Sequence, residues 1–427
     1  MIDREKYDKT IALLVDQFVR SRSGSVLPIV ALALPVIIGV AGLGADASMW
    51  MAKKRNLQQA ADSAILAAGW ELAQGTAGNM NSAATKEAAK NGYEPEENGE
   101  LLLQYIRDED GGAVWGVTLS QDADVYFTKI FSDNPVHVTA YAEAFVGGVE
   151  GDFCILALDP TADGAFSTSG SVIVNAPSCG IAANSTSDNA FDLGGSSSVT
   201  INDVRVSGGY EVGSNVDFEY GQLRAHQSPL KNPYEDLEIP SFSGCDEHNK
   251  HVTSSTTLSP GVYCGGISVS GNNDVHFEPG VYILDGGDFK VTGGGELIGE
   301  GVTFILTGNG NNYAGLDISG SRYVQFSAPE AGNDWAGITF FQDPDAPDRD
   351  NLQNKLLGSS GVVFDGVAYF PSQGLSFGGN DTTTAGVDPC TRLIARTVTL
   401  SGNPMMGNNC TKYDVKDIGL PRVKLVL

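Results

Sequence analysis

Cys245, His248, His251 and Cys264 form the pattern C-x2-H-x2-H-x12-C. Thiolate and imidazole are the ligand types of a zinc site, although structural sites usually space their histidines more widely. A plain Cys245–Cys264 bridge beside two solvated histidines satisfies the same residues. Asp343, Asp345, Asp348 and Asp350 gather carboxylate oxygens in one loop, a chemistry suited to calcium. They lack the glycine of an EF-hand loop, and a solvated acidic loop reads the same way. Asp317, Ser319 and Ser321 give D-x-S-x-S, a divalent-cation pattern. Such a motif should lead from a buried strand into a helix. Here it leads straight into the alternating run YVQF (323–326), which suits a strand and its turn. No resident metal or cofactor is expected from these groups. No Ser/His/Asp set, glycine-rich phosphate loop or basic stripe stands out. The chain therefore reads as a non-enzyme.

The elements around these residues are short. Beyond residue 150, apolar runs such as SVIVN (171–175), GISVSG (266–271), VTFILTG (302–308), GITFFQ (337–342) and LIARTVTLSGN (393–403) alternate with Gly, Asn, Asp and Ser. Most of the 53 glycines fall there, which marks frequent turns. Strands this short and closely spaced, with irregular insertions, predict a right-handed parallel β-helix over 151–427 rather than a β-sandwich. Segments 221–260 and 343–357 read as insertions, the first with Pro229, Pro233 and Pro240.

The chain has 427 residues, 18% of them charged, and a formal net charge of −26. That acidity excludes a nucleic-acid partner, which needs basic patches. The six cysteines form three local couples in sequence, and none lies in a C-x-x-C. Adjacency gives Cys154–Cys179, Cys245–Cys264 and Cys390–Cys410. This is the simplest of fifteen connectivities, with free thiols in a reducing compartment as the alternative. Each bridge is expected to close a loop at a β-helix edge.

All six cysteines follow one apolar stretch. Ser23–Ala45 holds no charged residue, and within it Val26–Leu43 is almost wholly apolar. As a helix those residues cover about 27 Å, close to a bilayer's hydrocarbon core. The expected plan is a cytoplasmic segment over 1–22, a single membrane span over 23–47 and an exported remainder. Arg4, Lys6, Lys9, Arg20 and Arg22 before the span outnumber Lys53, Lys54 and Arg55 after it, which places the N-terminus inside. Ala45-Asp46-Ala47 also resembles a signal-peptidase site, but the apolar run exceeds a usual h-region. After the span, Leu57, Ala61, Ala64, Ala68 and Leu72 recur at helical spacing over 48–74. The small residues Ala61, Ala64 and Ala68 suit close approach of a partner helix. Packing of the same stripe on the chain's own domain is the plainer reading.

The run RSGSVLPIVALALPVIIGVAGLGADASMWMAKKRNLQQAADSAILAA resembles the N-terminal segment of TadE/TadG-like proteins of the tight-adherence (Tad, or Flp) pilus machinery. The likeness rests on Arg22–Gly24, the ALALPV core at Ala31–Val36, Asp46 and the QAADSA stretch. It extends more loosely over 116–146. The resemblance implies a small pseudopilin-like α+β module over 48–150. Relatives processed as prepilins favour Glu five residues after the cleavage glycine, where this chain has Ile29. PSCGIAANSTSDNAF (177–191), FEPGVYILDGGDFKVTG (277–293) and GVAYFPSQGLSFGGN (366–380) look like the C-terminal part of some TadG-like proteins. Some such proteins carry a von Willebrand factor A domain, whose metal motif D-x-S-x-S matches.

The resemblance implies a bacterial inner-membrane protein with its C-terminal bulk in the periplasm. Its partners would be other Tad pseudopilins or assembly proteins. Its role would be structural, in pilus biogenesis and surface adhesion. The alternative is an exported β-helix that binds or cleaves surface polysaccharide. The NTD, GHG and RIK constellations of polygalacturonase-type enzymes are missing from the sequence.

Overall fold

The computed structural model describes residues 26–94, 99–109, 111–132, 134–321, 323–348, 353–359, 361–380 and 389–426. Strand accounts for 47% of the chain and helix for 17%, so the protein is mainly β. It divides into two compact units, 1–148 with 421–427, and 149–420.

The first unit begins with helix α1, Val26–Ala73, in which the apolar run and the Ala-rich segment continue without a break. Its first half exposes Ile29, Leu32, Val36, Ile37 and Val40. Its second half is buried by α2, Met80–Lys90, and by an antiparallel sheet of β1 (Glu100–Glu109), β2 (Gly112–Ala123) and β3 (Val136–Glu150). Ala60, Ala61, Ala64 and Ala68 share one core cluster with Ala84 and Ala88 of α2 and with Ala140, Ala142 and Ala144 of β3. Alanine on all three elements lets their backbones approach closely. The sheet ends in a surprise from the far end of the chain. Leu420–Val426, expected within the β-helix, is its fourth strand, next to β3.

The second unit is a parallel β-solenoid of about 10 turns. Its turns do not stack in chain order. The chain starts in the middle, at the strand Phe153–Ala157. It builds outward through Ile173–Ala183 and Ser198–Val206 to Asp217–Arg224. Residues 225–246 then carry it to the opposite end, where Glu247–Val252 starts a second stack. That stack returns through Gly261–Val269, Gly280–Asp285, Val302–Asn309, Ile338–Gln342 and Gly361–Phe370 to Thr391–Ala395. Thr391–Ala395 pairs in parallel with Phe153–Ala157, joining the two halves. Inside, fully buried phenylalanines stack from turn to turn, as Phe304 and Phe340 do at 5.2 Å between ring centroids.

The segment 225–246 is therefore a strap rather than an inserted loop. On the ladder it crosses, residues facing away from the core are also apolar: Leu156, Ile305, Phe341, Val367, Tyr369 and Ile394. Left bare, they would form a large exposed apolar patch. Leu230, Tyr234, Leu237, Ile239 and Phe242 of the strap cover them as a second core. This explains strands such as FCILA and ITFFQ, buried on both faces with no alternation. Asn184 and Leu230 exchange two hydrogen bonds of 2.8 Å, and Asn232 donates to the Tyr369 hydroxyl at 2.9 Å. The second expected insertion is shorter than 343–357, because Gln353–Gly358 is a ladder strand.

Candidate functional site

Two places in the described residues carry features that fold alone does not require, one in each unit. In the first unit, Asp46 is a fully buried carboxylate at the end of the apolar run. The backbone N–H and the hydroxyl of Thr128 both donate to its Oδ2 at 2.6 Å. Trp50, one helical turn on, donates its indole N–H to the Asp124 carbonyl at 3.1 Å. Together they hold the loop 124–132, with its 3-10 turn Thr128–Ile130, against α1. Phe127 lies directly on Gly42, where a Cβ would come within 2.5 Å of its ring. Farther along α1, Lys54 donates to the Thr139 carbonyl and Gln58 to that of Tyr141, tying the helix to β3.

The Ala stripe packs on its own module, the plainer of the two readings its spacing allowed, and not on a partner helix. Ala61, Ala64 and Ala68 are 0% exposed. The space a partner helix would take is filled by the module's own α2 and sheet. Those three side chains are interior packing, and the longest exposed apolar run of the helix lies in the half that precedes them.

In the second unit a groove of about 680 Å3 opens where the strap crosses the outer face. Tyr234, Leu237, Glu238 and Pro240 of the strap line it together with Val281, Ile283, Asp334 and Trp335. Asp414 and Lys416 close it. Trp335 has φ of +61°, a left-handed conformation that bulky residues avoid. Strain of this kind gathers at ligand clamps and active sites. The Trp335 ring meets Phe341 edge-on at 5.1 Å, which fixes its plane. Tyr234 meets Tyr369 in a tilted contact, 5.8 Å between ring centroids, accepts the Lys416 N–H at 2.9 Å and lies beneath the Lys416 ammonium at 5.3 Å. Burial pushes its hydroxyl up to about 12, so it stays neutral. An isolated tryptophan in an Asn-Asp-Trp turn was the available sequence signal for this groove.

The sequence-derived metal candidates are engaged otherwise. Cys245 and Cys264 are joined in a disulfide, which leaves no thiolate for zinc. His248 lies near the two sulfurs on the exposed end turn, and His251 sits three residues further along the same strand, opposite Ser268. Asp343 is buried, accepting from the Thr307 hydroxyl at 2.7 Å and the Asp345 amide at 2.9 Å. Asp348 pairs with Arg396. Asp350 lies outside the described residues. Asp317 is on a ladder strand, Leu316–Ile318, and accepts from the Ser319 hydroxyl at 2.9 Å. The buried Ser321 follows on the turn.

The three cysteine pairs are Cys154–Cys179, Cys245–Cys264 and Cys390–Cys410. Only Cys245–Cys264 lies at a terminal turn. The other two lie where the two chain halves meet, not at β-helix edges as expected. There Arg392 donates to Asn408 and reaches the Cys154 sulfur at 3.6 Å. Asn408 in turn donates to the Ser178 carbonyl at 3.3 Å. Burial draws the Arg392 pKa down from its ordinary value.

Comparison with known proteins bears on the first of these places. Residues 24–74 match the family model described as putative Flp pilus-assembly TadE/G-like. That stretch is TadE/G-like. It covers the whole of α1, so it contains Gly42, Asp46 and the Ala stripe. No curated protein and no solved structure matches the chain. The TadE/G-like segment supports a pilus-associated structural role, and the solenoid suits it. The same match points toward other pilus components as partners.

Proposed function

We propose that this protein is a non-enzymatic, membrane-anchored component of Tad pilus biogenesis and surface adhesion. It holds a rigid β-solenoid on the periplasmic side of a bacterial inner membrane. The carrying observation is the division of the TadE/G-like helix. Its first half exposes apolar side chains along a span-length run, and its second half is buried in a folded module. Water disfavours such an exposed run, whereas lipid accepts it. Three disulfides agree with an oxidising compartment. The solenoid then acts as a positioned surface toward other exported subunits.

A reporter active only in the periplasm should work after Leu427 and fail before Met1. The reverse result would refute the orientation. Cells lacking the protein should lose surface pili and adherence, both restored by the wild-type chain. Normal pili without it would end the pilus reading.

The groove favours a second reading, binding of polysaccharide. An aromatic plane beside Glu238, Asp334 and Asp414 offers a sugar ring a stacking face and hydroxyl acceptors. Three carboxylates against one ammonium argue for a neutral or amine-bearing saccharide over an acidic one. If Trp335→Ala abolishes saccharide retention while pili assemble normally, the two roles are separate. Retention unchanged by Trp335→Ala removes the groove from consideration.

A further inference from the structure

The loop 124–132 exposes more apolar surface than its surroundings explain. Tyr126 is 59% exposed, Phe127 41%, Ile130 78% and Phe131 74%. Lys129 stands among them. The loop is not a loose excursion. Asp46 clamps it through Thr128, Trp50 holds its start at Asp124, and Phe127 rests on Gly42. Tyr126 also shares a cleft with Met49, Trp50 and Lys53 of α1.

Position along the helix identifies the occupant. Gly42 belongs to the last turn of the apolar run Val26–Leu43, and the first acid, Asp46, lies about 6 Å farther along the axis. If the run crosses the hydrocarbon core, Phe127 stands at its boundary. That is the depth at which aromatic side chains collect in membrane proteins. Phe127 of the loop meets α1 at Gly42, beside the exposed apolar Val40 and Leu43. Lys129 can extend its ammonium toward headgroups while its stem stays apolar.

We propose that the loop 124–132 is a second membrane contact, with Tyr126, Phe127, Ile130 and Phe131 seated at the boundary between headgroups and acyl chains. It forms a collar beside the anchor, and the buried Asp46–Thr128 clamp sets its depth. One helix can rotate and tilt freely in a bilayer, whereas helix plus collar fixes the orientation of the module above it. The inference rests on α1 being a membrane span.

The test uses the full chain in lipid nanodiscs. Trp is introduced singly as Leu34→Trp, Ile130→Trp or Phe131→Trp, and its emission is taken as the difference from the parent. Bromine on the acyl chains, near the carbonyl or near the methyl end, quenches by depth. Leu34→Trp reports the anchor and should lose most emission to the deep bromines. Ile130→Trp and Phe131→Trp should lose most to the shallow ones, with blue-shifted emission. Quenching of Leu34→Trp with none for both loop positions overturns the collar and leaves the anchor intact. An unquenched Leu34→Trp removes the anchor and the collar with it. A photoreactive group at Phe131 should link to lipid in native membranes. Linking to another protein instead assigns the surface to a partner and overturns the proposal.

Discussion

Leu393, in the strand that completes the solenoid, pairs in parallel register with Ile155, in the strand that begins it. The first turn is thus sandwiched between one turn that follows it directly and another made more than 200 residues later, as the 238-residue separation of Cys154 and Arg392 records. Neither half has a closed core without the other at this junction. Late, long-range pairing of this kind makes folding slow.

The pair Arg396–Asp159 crosses the junction at 2.7 Å. Burial acts to raise the Asp159 pKa, but the amides of Thr161 and Ala162 and the Arg396 guanidinium outweigh it and hold it below the usual carboxylate value. A carboxylate with a depressed folded pKa contributes stability above its unfolded pKa and loses it as pH falls through the folded one. Asp159→Asn should cost about 1–3 kcal/mol at pH 7. In urea titrations the difference from wild type should shrink below about pH 4. A difference that persists at pH 2 would show that the charge is not its source.

Cys154–Cys179 secures the same junction and closes a separation of 25 residues. Replacing both with Ser should lower stability by about 3 kcal/mol. Non-reducing peptide mapping of the wild type should return the three pairs and no free thiol. Free Cys245 and Cys264 with stoichiometric zinc would instead assign that end turn to a metal.

The strap predicts a sharp contrast between two tyrosines. Tyr234, on the strap, is buried against the outer face, whereas Tyr220 is exposed on a terminal strand. Tyr234→Ala should cost about 3–5 kcal/mol in thermal or denaturant unfolding. Tyr220→Ala should stay within about 0.5 kcal/mol of wild type. Equal effects would mean that the strap does not hold the outer face.

Ala64 has no room for a larger side chain, since α2 and the sheet close over it. Ala64→Leu should destabilise the module by about 1–3 kcal/mol through overpacking. The readout is its unfolding midpoint in detergent. Unchanged stability would reopen the stripe as a surface for another helix.

The sequence by itself determined the elements. An uncharged run of span length favours an apolar surrounding, Ala at helical spacing makes a thin packing face, and short apolar runs between Gly and Asn turns with irregular insertions favour stacked parallel turns over a sandwich. The cysteine couples were legible because nearby cysteines close the shortest loops. What the sequence left open were pairings between distant residues, because no local pattern encodes which edge a strand will meet. Only the tertiary structure placed Thr391–Ala395 beside Phe153–Ala157, and Leu420–Val426 beside β3. It also made the proline-containing segment a strap, since its apolar residues gain a role only once the outer faces of distant strands line up beneath them. For the same reason Asp46 and Thr128, 82 residues apart, became a clamp only when the chain had folded.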